Sequence, residues 1–466
     1  MTTMNRKQIF EESVEVWVTS EYAPGGEMWF QGPHELAKGL ITQPAIGWTV
    51  PEAMDITTLV IEPEHTYQKI LGIGTSVEET TVHNLSKMST FLRKCIWSQL
   101  TDSVHGIGLN LFRITLGTSD FTAQVFYTYD DIIEGETDFE LKQFSIQKDI
   151  DLSIIDALRE LLAISPNVLL FASPWSPPAW MKTNGSLKRG QLKEGKEYTT
   201  ALAKYYRLAI QAYAEQGIPI YAMTLQNEPL LETDYPSCYM SPERQKELAL
   251  ELKRELSEHS LDTKIWIFDH NFSDVWSYVT PILNDKEGYA AVDGIALHDY
   301  EGEPSAMYEI HAAYPDQPIF LTERSVWGTR GADRIAQYFR NYASSYNAWV
   351  TMLDSQIGTH QWLGIPGPTL LIQDAAETDR YWQTPELCLL GQFARFIERG
   401  AVRIGSTYGS ADTVTNVVFR NPDGCYIAVV INQTDSEQKY RVLSGGNQFL
   451  AALPAKSVGT YRWKNK

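Results

Sequence analysis

The sequence contains few cysteines, and none are closely spaced. Cys95, Cys238, Cys388 and Cys425 are far apart and form no C-x-x-C pair. Disulfide-rich scaffolds and zinc sites typically show dense or closely spaced cysteines. We therefore expect four free thiols and no metal held by cysteine.

The sequence also lacks long apolar runs and an excess of positive charge. No apolar run approaches the length of a membrane span, and the first residues contain no apolar signal core. The formal net charge is -19, from 39 basic and 58 acidic residues. This balance disfavours nucleic acid and anionic membranes as partners. We expect a cytoplasmic protein, or a secreted form whose signal peptide has been removed.

Apolar and aromatic residues are abundant. Hydrophobic residues make up 43% of the 466 residues and aromatic residues 12%, including 13 Trp and 24 Tyr. This composition provides a sizeable core and argues against global disorder. Most of the aromatic rings should belong to that core. The flat faces of the others would suit the C–H faces of sugar rings.

Eight short apolar runs alternate with amphipathic helical patterns across the middle of the chain. The candidate strands are 69–73, 111–116, 168–172, 222–226, 264–268, 294–298, 319–323 and 348–352. Strands that alternate with helices favour parallel pairing, and eight such units fit a (β/α)₈ TIM barrel. One helix is predicted over 199–215, with Gly217 as its C-terminal cap, and another begins after a capping Ser241.

Both ends of the chain have β texture instead. Alternating or apolar runs occur at 14–18 and 59–61, and again at 414–420, 426–432, 440–443 and 457–463. The segment Asn421-Pro422-Asp423-Gly424 predicts a hairpin turn between two of these runs. We expect an accessory β-sandwich built from residues 1–62 and 396–466, around a catalytic barrel over 63–395.

Two glutamates stand at the ends of candidate strands. Glu228 follows the run 222–226 within Gln226-Asn227-Glu228-Pro229, and Glu323 ends the run 319–323. Chemistry in such barrels lies at the C-terminal ends of the strands. Two carboxylates suit hydrolysis of a glycosidic bond: roughly 5–5.5 Å apart in retaining enzymes and 6.5–9.5 Å in inverting ones. We predict the shorter separation, and a pKa of Glu228 raised by burial and like charge.

Polar and aromatic residues cluster at the other strand ends too. They are Arg113, Asp120, Trp175, Asp269, His270, His298, Asp299, Tyr300 and Trp349. Packing alone does not readily explain this clustering. The cluster therefore supports a site at this end of the barrel.

Several longer motifs occur in order between Gln68 and Trp463. They are QKILGIG at 68–74, Glu78-Glu79, Asn84-Leu85-Ser86, Arg113 with Asp120, SPWSPPAWMK at 173–182, Asn227-Glu228-Pro229, Tyr235-Pro236-Ser237-Cys238 and Thr322-Glu323. With them the sequence resembles glycoside hydrolase family 30, the family of the lysosomal glucosylceramidases. The resemblance implies a retaining β-glycosidase that needs no metal or organic cofactor.

The resemblance also implies a role for each matching residue. It makes Glu228 the acid/base and Glu323 the nucleophile, with Asn227 donating to the 2-hydroxyl of the sugar. The remaining residues would bind or border the carbohydrate substrate: Asp120 and Trp175 in the innermost subsite, Arg113, His298 and Tyr300 around the carboxylates, Tyr235 at the mouth, and Trp349 on the eighth strand.

The sequence departs from the family pattern in two places. Asp299 stands where the family usually has an aromatic residue, and Met352 stands where a second tryptophan is usual. Trp327 and Trp362 are candidates to replace that tryptophan. These departures leave the sugar open among β-glucosides, β-1,6-glucans, β-xylosides, β-fucosides and β-galactosides. Asp120 favours a hexose, whose distal hydroxyls it can bind.

Two other functions compete with the glycosidase. In a metal-dependent barrel hydrolase, the ligands would come from Asp269, His270, His298, Asp299 and Glu323. The first candidate strand, however, lacks the paired histidines usual in such barrels. A catalytically weak carbohydrate-binding relative is the second alternative, although both glutamates are present.

Overall fold

A computed structural model describes residues 13–21, 32, 39–326, 328–356, 358 and 369–464. In these residues the strands are β1 (Ser13–Ser20), β2 (Ile41–Gly47), β3 (Thr57–Lys69), β4 (Gly72–Val77), β5 (Leu111–Leu116), β6 (Leu169–Pro174), β7 (Ala222–Thr224), β8 (Lys264–Asn271), β9 (Gly294–His298), β10 (Ile319–Glu323), β11 (Ala343–Ala348), β12 (Met352–Asp354), β13 (Leu371–Gln373), β14 (Tyr381–Gln383), β15 (Val402–Ser406), β16 (Thr415–Arg420), β17 (Cys425–Asn432), β18 (Gln438–Ser444), β19 (Asn447–Leu453) and β20 (Ser457–Lys464).

The helices alternate with the strands of the central region. They are α1 (Glu79–Ser86), α2 (Thr90–Thr101), α3 (Gln147–Asp151), α4 (Ile154–Ile164), α5 (Lys196–Glu215), α6 (Pro242–Glu258), α7 (Val275–Leu283), α8 (Lys286–Ala291), α9 (Ser305–Ala313), α10 (Gly328–Arg340) and α11 (Pro385–Ala394). None of the helices in the described residues is both long and apolar enough to span a bilayer.

Eight parallel strands, β4 to β11, close into a barrel. The predicted barrel is therefore confirmed. Its lower interior is filled by an apolar layer that includes Leu111, Phe171, Trp266 and Phe320. The rings of Trp266 and Phe320 stack with centroids 4.0 Å apart. Because this layer fills the N-terminal end, the polar residues gather at the C-terminal ends of the strands.

Two predicted barrel strands were displaced. The first lies at Gly72–Val77 rather than 69–73, because Lys69 still belongs to β3 of the accessory sheet. The eighth is Ala343–Ala348 rather than 348–352. That strand carries Ser344, Ser345 and Asn347, which are buried inside the protein and break the apolar pattern.

The accessory sheet draws strands from both ends of the chain. Its order is β19-β18-β3-β15-β16-β17-β20-β1-β2, and β1 pairs antiparallel with both β20 and β2. The hairpin of β16 and β17 is confirmed, with Gly424 in its turn at φ 84°. The domain boundaries at 62/63 and 395/396 stay predictions; β3 runs through the first of them.

The two predicted helices are present with their caps. Helix α5 ends shortly before Gly217, whose φ is 81°. Helix α6 begins after Ser241, whose side chain accepts a hydrogen bond from the Arg244 N–H at 3.3 Å. These helices pack against each other. The Tyr206 hydroxyl of α5 donates to the Leu225 carbonyl at 3.0 Å, which ties α5 to the segment between β7 and Glu228.

Candidate active site

The strand ends bring the predicted site residues to one end of the barrel. Arg113 lies within β5, and His298 and Glu323 end β9 and β10. The others follow their strands in the loops: Asp120 after β5, Trp175 after β6, Asn227, Glu228 and Tyr235 after β7, Tyr300 after β9, and Trp349 after β11. The hydrogen bonds and ring contacts among them define the site.

Arg113 is the fully buried hub of the site. Its guanidinium donates to Glu323, to Asn227 Oδ1 at 2.8 Å and to Asp269 Oδ2 at 2.9 Å. A planar guanidinium offers several donors in fixed directions, which suits it to hold several acceptors at once. Arg113 therefore sets the relative positions of residues from three other strands.

Asp269 is the buried acceptor beneath the two glutamates. The hydroxyls of Thr224 and Thr322 donate to its carboxylate at 2.7 and 2.6 Å. Burial alone would raise the pKa of Asp269, but the charges of Arg113 and His298 outweigh it and hold the pKa well below the usual range. Asp269 therefore stays ionised, and its role as a central acceptor could be seen only in the folded structure.

His298 links three carboxylates. Its Nε2 lies 3.0 Å from Asp269 Oδ1 and 3.7 Å from Glu323 Oε2, while its Nδ1 lies 3.4 Å from Glu228 Oε1. Burial alone would lower the pKa of His298, but the charges of Glu323 and Asp269 raise it to about 10. The imidazole is therefore a cation at neutral pH, and both ring nitrogens donate.

Glu228 is held by an unusual backbone conformation. Its φ is 47°, in the left-handed region, and its N–H donates to the Asp269 carbonyl at 3.0 Å. Burial raises the pKa of Glu228; the hydrogen bond from His298 opposes this rise, and the charge of Glu323 adds to it. The raised pKa agrees with the sequence-based expectation and favours a proton-bearing carboxyl group.

Glu323 has donors on both carboxylate oxygens. Arg113 donates to Oε2 and the Tyr300 hydroxyl to Oε1 at 2.6 Å. Single ligand atoms of Glu323, Glu228 and His298 all lie within 4.8 Å of one another. The two glutamates therefore face one shared space and can reach opposite sides of one bond.

Aromatic side chains form one wall of the site. The rings of Trp175 and Trp349 stack with centroids 5.4 Å apart, and Phe121 packs edge-on against Trp349 at 5.5 Å. Tyr235 packs against the same cluster, which also contains Trp382 of β14. Sequence reasoning missed Trp382, because it lies in no recognised motif and reaches the cluster only through the small sheet β12-β13-β14.

Asp120 lies in the loop that leads into this wall. Burial and the charges of Glu323 and Glu228 raise its pKa to about 8. At neutral pH its carboxyl group therefore holds a proton, so it can both donate to and accept from a neighbouring hydroxyl. That property suits a group that binds a sugar.

The departures from the family pattern have a structural explanation. The Asp299 carboxylate accepts hydrogen bonds from Arg334 and Tyr338, away from the two glutamates. Met352 is fully buried in the main core beside α1. Neither side chain therefore stands in for the missing aromatic residue. Trp327 and Trp362, proposed as replacements, lie outside the described residues.

The metal-binding alternative can be compared with the same geometry. Among the described residues, one group is close enough to hold a cation: Glu228, His298 and Glu323. Arg113 pairs with Glu323 beside this group, and its charge repels a further cation. Asp299 is ion-paired with Arg334 at 2.7 Å and is not part of the group. These charges disfavour a metal at this end of the barrel.

Comparison with known families agrees with this arrangement. The family description "Glycosyl hydrolase family 30 TIM-barrel domain" matches residues 70–397, and "Glycosyl hydrolase family 30 beta sandwich domain" matches 400–461. The chain belongs to glycosyl hydrolase family 30. It is a β-glycoside hydrolase with a TIM barrel and a β-sandwich, as the sequence predicted.

Relatives of this family 30 enzyme include proteins with two different activities. The lysosomal acid glucosylceramidase of Mus musculus is 27% identical over 88% of this chain and 84% of its own length. The endo-1,6-beta-D-glucanase BGN16.3 of Trichoderma harzianum is 30% identical over 84% of each. The solved endo-beta1,6-glucanase BT3312 is 27% identical with a TM-score of 0.83, covering 97% of this chain and 99% of its own.

Proposed function

We propose that this enzyme hydrolyses a β-glycoside with retention, with Glu323 as nucleophile and Glu228 as acid/base. The observation that carries the proposal is that oxygens of the two carboxylates lie within 4.8 Å of each other. This limit is compatible with the roughly 5–5.5 Å between carboxyl groups in retaining enzymes and lies below the roughly 6.5–9.5 Å in inverting ones.

The first step forms a glycosyl-enzyme. Glu323 attacks the anomeric carbon while the bond to the leaving oxygen breaks, and Glu228 gives that oxygen its proton. In the second step water attacks the same carbon, Glu228 takes a proton from the water, and Glu323 leaves. Arg113 pairs with the Glu323 carboxylate before the first step and after the second, and His298 lies beside Glu228, which is ionised between the steps.

We infer that the innermost sugar is a hexose, most simply β-linked glucose. Asp120 holds a proton that it can share with a distal hydroxyl, and Asn227 stands beside the catalytic pair to bind the 2-hydroxyl. The wall of Trp175 and Trp349 supplies an apolar face for the ring. Glucosylceramide and β-1,6-glucan, the substrates of the relatives, both present such a glucose. Cytoplasmic or secreted location stays a prediction.

A screen of aryl β-D-glycosides tests sugar and stereochemistry together. The expected result is fastest hydrolysis of the glucoside at pH 5 to 7, with the β-anomer as first product by NMR. An α-anomer as the first product would contradict retention. Faster hydrolysis of a xyloside, fucoside or galactoside would mean that this sugar, and not glucose, is the one that the site binds. The Glu323→Gln variant should lose at least about 10³-fold in kcat. If the wild-type protein binds the glycosides but hydrolyses none of them, the carbohydrate-binding alternative is correct.

A further inference from the structure

The loop that carries Tyr300 is exposed, yet its tyrosine touches the proposed nucleophile. Tyr300 is 44% exposed as a residue, while its hydroxyl donates to Glu323 Oε1 at 2.6 Å. Residues 300–303 are all exposed and form no helix or strand. Something outside the loop must therefore hold it for this hydrogen bond to persist.

Asp299 provides one attachment of the loop. Tyr300 has two others: its N–H donates to Asn271 Oδ1 at 3.0 Å, and the Arg324 guanidinium lies 4.9 Å from its ring centroid. Its Oδ2 accepts from Arg334 Nε at 2.7 Å and its Oδ1 from Arg334 Nη2 at 2.9 Å. Tyr338 donates to the same carboxylate. A two-point contact between a guanidinium and a carboxylate fixes direction as well as distance. Asp299 itself is only 6% exposed, so water competes little for these bonds.

Arg334 also contacts the far end of the loop. It donates to the Gly302 carbonyl at 3.1 Å and to Glu303 Oε2 at 2.6 Å. Arg334 belongs to α10, the helix that follows the strand ending at Glu323. One guanidinium therefore ties both ends of the Tyr300 loop to the element that succeeds the nucleophile.

We propose that Asp299 and Arg334 are positioning residues that hold Tyr300 against Glu323. The inference rests on the proposed role of Glu323 as nucleophile. Tyr300 orients the attacking carboxylate, and the Asp299–Arg334 pair keeps the Tyr300 hydroxyl within reach. Asp299, which departs from the family pattern, thereby gains a function that an aromatic residue at this position could not perform through Arg334.

Inactivation by a 2-deoxy-2-fluoro aryl β-glucoside tests the proposal. Its maximal rate reports the attack of the nucleophile, and its half-saturating concentration reports binding. In Arg334→Met we expect the maximal rate to fall about tenfold, as for loss of one oriented hydrogen bond, and half-saturation to change less than about twofold. Tyr300→Phe should show a similar loss. In Tyr300→Phe the further change Arg334→Met should cost nothing.

Controls separate positioning from general damage. Arg254→Met removes an exposed arginine that pairs with Glu251 and Glu258 on α6, and it should leave both parameters unchanged. Asp299→Asn keeps the shape of the side chain and should show the same loss of maximal rate as Arg334→Met. It therefore replaces Arg334→Met in the test if the Arg334→Met variant folds poorly. Multiplicative losses in the double variant, or a full rate in both Asp299→Asn and Arg334→Met, overturn the positioning role.

The same experiment keeps the two proposals distinguishable. Peptide mapping shows which residue carries the fluoro-sugar. Label on a residue other than Glu323 contradicts the proposed nucleophile. Label on Glu323 together with independent losses from Tyr300→Phe and Arg334→Met contradicts the positioning pair alone.

Discussion

Arg113 and Asp269 form a fully buried ion pair, with Nη2 of the arginine 2.9 Å from Oδ2 of the aspartate. Neither side chain has any exposed area. Two charges in such a place are stable only because each satisfies the other and further hydrogen bonds complete both. The pair lies directly beneath the two glutamates, so it supports the protein and the site at once.

Removing the cation should expose the cost of this arrangement. We expect Arg113→Met to lower the free energy of unfolding by about 3–5 kcal/mol, because Asp269 and Glu323 both lose the buried arginine that pairs with them. Urea unfolding at pH 7 measures the loss. Adding Asp269→Asn to Arg113→Met should recover part of it. The exposed Arg254→Met should change stability by less than about 0.5 kcal/mol; an equal loss there would contradict the argument.

Asn227 should act through the 2-hydroxyl of the sugar. Its Oδ1 accepts from Arg113 at 2.8 Å, which orients the amide so that its NH₂ group is available for substrate. We expect Asn227→Ala to lower kcat/KM about 10²-fold, since this hydrogen bond strengthens in the transition state. With a 2-deoxy glycoside the same substitution should cost less than about twofold. A similar loss on both substrates would mean that Asn227 only shapes the site.

The pH dependence of activity should reflect the proton on Glu228. Its pKa is raised by burial, so the carboxyl group stays protonated to a higher pH than a free glutamate. We expect kcat/KM on a substrate with a poor leaving group to fall as pH rises through that pKa. The leaving group of a dinitrophenyl glycoside needs no proton, so kcat/KM on this substrate should not fall as pH rises through the pKa of Glu228. An identical alkaline limb for both substrates would assign the proton to another group.

Deleting that acid should produce a second signature. In Glu228→Ala the first step on a dinitrophenyl glycoside should continue, while the second step lacks its base. Azide can then occupy the space left by the Glu228 side chain and attack the anomeric carbon from the face opposite Glu323. Because azide needs no base, it should raise kcat and give the β-glycosyl azide as Glu323 leaves. Formation of the α-azide, or no rescue by azide, would contradict the assigned roles.

Glu386 should make stability depend on pH. It lines a small cavity at the start of α10. Its Oε1 accepts from the Gly328 N–H at 3.4 Å, and its Oε2 has no hydrogen-bond partner among the described residues. Burial raises its pKa from 4.5 to about 8. The folded protein therefore binds this proton more tightly than the unfolded chain, so the associated stability is complete below pH 4.5 and is lost as pH rises to about 8.

Glu386→Gln isolates this contribution. Between pH 5 and pH 8 the free energy of unfolding of the wild type should fall by on the order of 3 kcal/mol more than that of the variant, whose side chain cannot ionise. Urea unfolding at both pH values measures the difference. Parallel stability curves for the two proteins would show that Glu386 does not titrate in this range.

Strands were located best from the sequence where an apolar run ends in a single ionisable residue. The strands ending at His298 and Glu323 were located to the residue, because each is a continuous apolar run before the polar group. The eighth strand was misplaced because Asn347 faces the barrel interior, where its amide donates to the Leu111 carbonyl at 2.8 Å. When a buried polar side chain hydrogen-bonds to a backbone group far away in the sequence, the neighbouring residues do not show that it belongs to a buried strand.

The contacts beneath the site were also beyond a linear reading. Asp269 was placed among the polar residues at the strand ends, but nothing in its neighbourhood showed that it would accept from Arg113, Thr224 and Thr322. Those partners come from three other strands, so only closure of the barrel brings them together. The clamp between Asp299 and Arg334 likewise joins residues 35 apart in the chain.

The place of β1 in the accessory sheet affects how the chain matures. Ser20 meets Ser457, a residue made 437 positions later. At about 5–20 residues per second, the ribosome needs roughly 20–90 s to supply that partner. During this interval the edge of β1 that later pairs with β20 is unpaired, and it can pair with other nascent chains. Completion of β20 is therefore the event that gives β1 its second neighbour in the accessory sheet.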